Sequence, residues 1–224
     1  MKNFPELIVM LTHNDRTAEN AREIFEQCKN TKAKCWGFKE EPLPLDDMKK
    51  LYARMKEFGK TTFLEVVAYS EHEGLNGAKI AAECRCDFLM GTKFFDSVNA
   101  FCKENGIKYM PFVGKITGRP SILEGTLEEM LDEAQYCLSK GVYGLDLLGY
   151  RYTGDASALN KNFVAGVKAP VCIAGSVNSF ERLDELKKIS AQMFTIGGAF
   201  FEGKFGGTFA EQVDKVCEFM QGGD

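Results

Sequence analysis

The chain has 224 residues, 45% hydrophobic and 27% charged, with a formal net charge of -4. That length buries one sizeable core, so a single domain over residues 1–224 is expected, and the acidic balance offers no basic face for nucleic acid. The apolar run at residues 7–11 is too short for a signal-peptide core, and no stretch approaches the roughly 20 apolar residues of a membrane span, so no membrane association and a cytoplasmic location are expected.

Short β-rich runs recur about every 20 to 35 residues, each followed by apolar residues at helical spacing, the pattern of alternating parallel strands and helices. The first strand is read at 7–11, and its helix opens at Asn14 or Asp15 with Ala18, Ala21, Ile24, Phe25 and Cys28 on one face. Strand two falls at 34–38 with a helix at 45–58. Strand three falls at 62–67, with Leu75, Ala78, Ile80 and Ala81 in the helix behind it, and strand four at 88–90 with a helix at 97–104. Strand five falls at 109–113. The connection after it, residues 114–125, is long, contains Arg119 and Pro120, and suits a lid over substrate. The next helix begins at Thr126, where Thr126 and Glu129 match a capping box. Strands six, seven and eight fall at 144–148, 171–174 and 193–196, followed by helices at 156–166, 179–189 and 208–220. Eight such units with nearly all-apolar strands predict an α/β fold, a (β/α)8 TIM barrel. The rival is an open doubly wound sheet, which usually has a Gly-rich first turn where this chain has Thr12-His13-Asn14-Asp15.

In such a barrel, chemistry is carried at the carboxyl ends of the strands. Lys39 closes strand two, Glu65 lies inside strand three, Lys93 follows strand four, Lys115 follows strand five, and Asp146 lies inside strand six. A carboxylate facing outward from an apolar strand would be buried unpaired under a helix, so Glu65 and Asp146 are expected to point inward, towards the lysines. A carboxylate beside an ammonium suits proton transfer next to a carbonyl, as in isomerases and epimerases. A lysine of lowered pKa, Lys115 or Lys93, would instead suit a class I Schiff-base aldolase.

A second signal is for phosphate. Gly175-Ser176-Val177-Asn178 follows strand seven and Gly197-Gly198 follows strand eight, where small residues let backbone N–H groups close on an anion. His13 ends strand one and is of a type to act as acid, base or ligand, or as a hydrogen-bonded structural residue. Tyr150, Arg151 and Arg119 stand where they can contact substrate. No C-x-x-C pair occurs; the nearest motif, Cys84-Arg85-Cys86, is expected to place its thiols on different faces. With His13 and His72 the only histidines, Glu65 and Asp146 make a thin ligand set, so neither metal nor other cofactor is expected.

The string Ala-Pro-Val-Cys-Ile-Ala-Gly-Ser-Val-Asn-Ser-Phe-Glu-Arg-Leu from Ala169, continuing to Phe-Thr-Ile-Gly-Gly-Ala-Phe-Phe-Glu-Gly-Lys-Phe, resembles the end of the phosphoribosyl isomerases of histidine biosynthesis. It is also similar to N-acylmannosamine-6-phosphate 2-epimerases, whose Gly-Tyr-Thr-Gly-like turn reads Gly149-Tyr150-Arg151-Tyr152-Thr153-Gly154 here. These belong to the ribulose-phosphate-binding barrel superfamily, and the chain as a whole looks like a group of small bacterial barrels. The resemblance implies phosphate contacts from Gly175, Ser176, Gly197 and Gly198. It differs from the histidine-pathway isomerases in lacking an Asp in strand one, and Gly175-Ser176 replaces the usual double glycine. The expectation is therefore an isomerase or epimerase of carbohydrate metabolism acting on a small phosphorylated metabolite. The alternatives are the aldolase and a non-catalytic sugar-phosphate sensor; a homo-oligomer is compatible with the sequence.

Overall fold

The structure, a computed structural model, describes residues 4–222. Eight parallel strands form its centre: β1 Glu6–Met10, β2 Cys35–Lys39, β3 Thr61–Ala68, β4 Phe88–Thr92, β5 Lys108–Met110, β6 Leu145–Leu147, β7 Val171–Ile173 and β8 Met193–Ile196. They are hydrogen-bonded in the order β6-β7-β8-β1-β2-β3-β4-β5. The ring closes between β5 and β6, where the N–H groups of Tyr143 and Asp146 donate to the carbonyls of Tyr109 and Pro111 at 3.0 and 2.9 Å. The fold is the expected (β/α)8 barrel.

Outer helices cover the strands: α1 Ala21–Cys28, α2 Leu45–Glu57, α3 Glu71–Glu83, α4 Asp96–Glu104, α5 Leu127–Ser139, α6 Ala156–Gly166, α7 Phe180–Ile189 and α8 Phe209–Met220. Strand residues alternate between two apolar layers, because successive side chains leave a strand on opposite faces. Leu7, Val9, Trp36, Phe38, Leu64, Val66, Leu89 and Phe194 pack outward under the helices, while Ile8, Met10, Cys35, Phe63, Phe88, Met90, Met110, Cys172 and Met193 fill the barrel. Each such large side chain contributes about 1.5–3 kcal/mol on burial. Capping boxes start α3, α5 and α8, with Thr126 and Glu129 forming the one expected for α5.

Two local expectations are corrected. The chain after β1 does not enter a helix at Asn14; Thr12–His13 and Arg16–Thr17 pair as an antiparallel hairpin, and α1 begins at Ala21. Asn14 and Asp15 occupy its two-residue turn at φ 50° and 63°, a left-handed conformation that Asn and Asp tolerate and such hairpins require. Residues 114–125 are likewise structured, with Lys115–Thr117 antiparallel to Ile122–Glu124. Cys84 and Cys86, on either side of a left-handed Arg85 at φ 55°, are both buried free thiols.

Candidate active site

A cavity of about 480 Å³ opens at the carboxyl ends of the strands. Lys39 and Glu65 stand at its floor. They are register partners on β2 and β3, so the same pleat that buries Phe63 inside the barrel also turns Glu65 inward beside Lys39. The Lys39 ammonium lies 3.6 Å from Glu65 Oε1 and 2.5 Å from Asp15 Oδ1. Burial pulls the Lys39 pKa down, but the Glu65 and Asp15 carboxylates outweigh it, and the ammonium is held above its ordinary range. Gly91 makes room for this pair. It sits at φ 91° beside an irregularity in the β3–β4 register, and a Cβ there would come within 2.9 Å of Glu65 Cγ.

Asp146 is inward on β6, fully buried, and does not line the cavity. Neither of its carboxyl oxygens has a hydrogen-bond partner. Burial, reinforced by the charge of Glu65 and only partly offset by Lys39, pushes its pKa well above the ordinary carboxylate range. An uncompensated charge at such a site is expensive, so the neutral acid is the stable form.

The loops after β7 and β8 build another wall of the cavity: Gly175, Ser176 and Asn178 from one, Gly197 and Gly198 from the other. Gly175 and Ser176 are successive left-handed residues at φ 82° and 57°. Arg151 lies against this loop, since a Cβ on Gly175 would approach Arg151 Cγ to 2.8 Å. Arg182 braces the loop, its guanidinium donating to the Ser176 carbonyl and to Asn178 Oδ1. Ser179 caps α7 directly behind it. His13 lines the mouth and stacks on Phe201 at 5.1 Å.

Other expected site residues lie elsewhere. Lys115 is exposed in the second hairpin and pairs with Glu124 at 3.2 Å. Lys93 lies outside the cavity. The cluster of five charged groups is therefore corrected to Lys39, Glu65 and Asp146, joined by Asp15. Arg119 also lies off the cavity and donates to the Val67 carbonyl, although its neighbours Pro120 and Ser121 line it. The Tyr150 hydroxyl donates to Glu185 at 2.9 Å, between α6 and α7.

Asp15, Arg182 and Glu40 were not singled out from the sequence. The signal for Asp15 was an Asn-Asp pair between Thr12-His13 and Arg16-Thr17, a two-residue hairpin turn. Glu40, next to Lys39, is pushed up to about 7 by burial and by the nearby Glu65 charge. Among the described residues, no group of three or more His, Cys, Asp and Glu is arranged to hold a metal ion.

No family model matches the sequence, and no curated protein matches it. Solved structures do. The N-acetylmannosamine-6-phosphate 2-epimerase of Clostridium perfringens is 14% identical with a TM-score of 0.66, over 96% of this chain and 92% of that one. The orotidine 5'-phosphate decarboxylase of Pyrococcus horikoshii is 14% identical with a TM-score of 0.70, over 96% and 99%. A glycerol uptake operon antiterminator regulatory protein of Listeria monocytogenes is 12% identical with a TM-score of 0.61, over 88% and 95%. At these identities the likeness is one of fold.

Proposed function

We propose that this barrel is a sugar-phosphate isomerase or epimerase, moving a proton on the carbon next to a carbonyl while the loops after β7 and β8 hold the phosphate. The observation that carries this reading is the Lys39–Glu65 ion pair at the floor of a cavity whose wall is the Gly175–Ser176 and Gly197–Gly198 loops. A carboxylate and an ammonium side by side are what enolisation needs. Glu65 accepts the proton from carbon, and the Lys39 N–H groups stabilise the negative charge that develops on the carbonyl oxygen. A proton delivered to the opposite face of the same carbon by a second donor, such as water in the cavity, gives an epimer; Glu65 returning its proton to the neighbouring carbon, as the hydroxyl proton passes to the former carbonyl oxygen, gives an isomer. Burial favours the neutral form of Asp146 beneath them, in which it adds no second buried negative charge beside Glu65.

The Schiff-base alternative has less support. It needs an unprotonated amine in the cavity, whereas Lys39 is held as the ammonium and neither Lys93 nor Lys115 lines the cavity. A second reading, a sensor that binds a sugar phosphate without turnover, is favoured by one observation, the regulatory protein among the similar barrels.

The two readings separate when the protein is incubated in D₂O with a panel of phosphorylated aldoses and ketoses. Proton transfer replaces the hydrogen next to the carbonyl with deuterium, seen by NMR, and Glu65→Gln should slow that exchange by about 10²–10⁴. Thermal stabilisation by a sugar phosphate with no exchange in any compound would instead establish the sensor.

A further inference from the structure

Resting on that reading, we infer that the site selects a phosphorylated sugar whose reacting end is an uncharged carbonyl flanked by hydroxyls, and rejects substrates with a carboxylate at that end. The argument is a count of charge by position. Lys39 and Arg151 are the Lys and Arg side chains among the described residues lining the cavity. Arg151 lies against Gly175, at the wall assigned to phosphate. Lys39 is shared by two carboxylates, Asp15 at 2.5 Å and Glu65 at 3.6 Å. At the rim, the Glu202 carboxylate is offset by Lys204 at 3.4 Å.

A second anionic group entering with the phosphate therefore meets a floor of two carboxylates and one ammonium, Lys39, which both already hold. Hydroxyls meet no such penalty, because the same carboxylate oxygens accept their hydrogen bonds. Like-charge juxtaposition and loss of a partner for a desolvated anion are how a site rejects a ligand of otherwise similar shape. The Asp15–Lys39 contact is the specificity element, and it comes from the hairpin after β1 rather than from the barrel itself.

The test uses matched pairs that differ only at C1: glucose 6-phosphate against 6-phosphogluconate, arabinose 5-phosphate against 5-phosphoarabinonate, and erythrose 4-phosphate against 4-phosphoerythronate, with inorganic phosphate as reference. Calorimetry on the intact protein should give the aldose phosphate the tighter Kd in at least one pair, by about tenfold or more. Aldonate phosphates binding as well or better would overturn this inference and leave the phosphate wall standing. Binding of inorganic phosphate with no gain from any sugar would also overturn it. No binding by any of the seven compounds would overturn the phosphate reading itself. Asp15→Asn, which removes one of the two carboxylates on Lys39 from a surface turn, should narrow the ratio by favouring the aldonate. An unchanged ratio would overturn the assignment to Asp15.

Discussion

The two ends of the barrel are made from the same strands and do opposite work. On β3, Phe63 and Glu65 are two residues apart and share the inward face; Phe63 stacks on Phe88 at 4.2 Å, whereas Glu65 pairs with Lys39, itself held by Asp15, at the carboxyl end. Towards the amino ends, Ile8, Cys35, Phe63, Phe88 and Met193 are buried apolar side chains in mutual contact. Towards the carboxyl ends the same faces present Lys39, Glu65 and Asp146. One step of two residues along a strand thus separates what holds the barrel together from what it does, a division expected where the upper loops carry chemistry and the lower face carries stability.

The comparison is broken most severely at its lower end. Phe63→Ala removes a ring that is 1% exposed and should cost about 3–5 kcal/mol of stability in urea denaturation. Under conditions where it remains folded, its ranking of sugar phosphates should match the unaltered protein. A changed ranking would mean that the two ends are coupled.

At the upper end the expected effects are smaller in stability and visible through pH. The folded pKa of Asp146 lies above its ordinary value of 3.8, so the native state binds more protons than the unfolded chain from that pH upward. Stability should fall with rising pH through that window until the folded pKa is passed. Asp146→Asn removes the slope, and its advantage over the unaltered protein should grow with pH in urea midpoints measured from pH 4 to 8. An advantage that shrinks would mean that the carboxyl is ionised and paired. Glu40 should act in the same direction with a narrower window: stability lost between about 4.5 and about 7, and the loss abolished in Glu40→Gln.

Much of the upper end was legible before any coordinates, for a physical reason. Within an apolar strand covered by helices, a charged residue has one tolerable direction, so Glu65 and Asp146 had to face inward, and Lys39 follows from the same alternation. The glycines after β7 and β8 were legible as small residues at strand ends, and in the structure a Cβ at Gly175 would come within 2.8 Å of Arg151 Cγ. Beyond a strand end that alternation no longer applies. Asp15 reaches Lys39 only because Asn14 and Asp15 fold back as a turn, and the helical spacing of Ala18, Ala21 and Ile24 masked the two short strands before them. The lining of the cavity by Pro120 and Ser121 depends on a hairpin that the sequence showed only as a long connection suited to a lid or a loop.

Lys93 and Lys115 give the smallest and sharpest test, because sequence and structure disagree about them. Position in the chain puts both at the carboxyl end, yet Lys93 does not line the cavity and Lys115 pairs with Glu124 on a surface hairpin. An exposed pair of this kind is worth about 0–1 kcal/mol, so Lys115→Met should leave stability within roughly 0.5 kcal/mol. Neither Lys115→Met nor Lys93→Met should alter the affinity for a sugar phosphate or the rate of deuterium exchange. A loss of exchange in either variant would return that lysine to the chemistry, and would require its loop to close over the cavity when substrate binds.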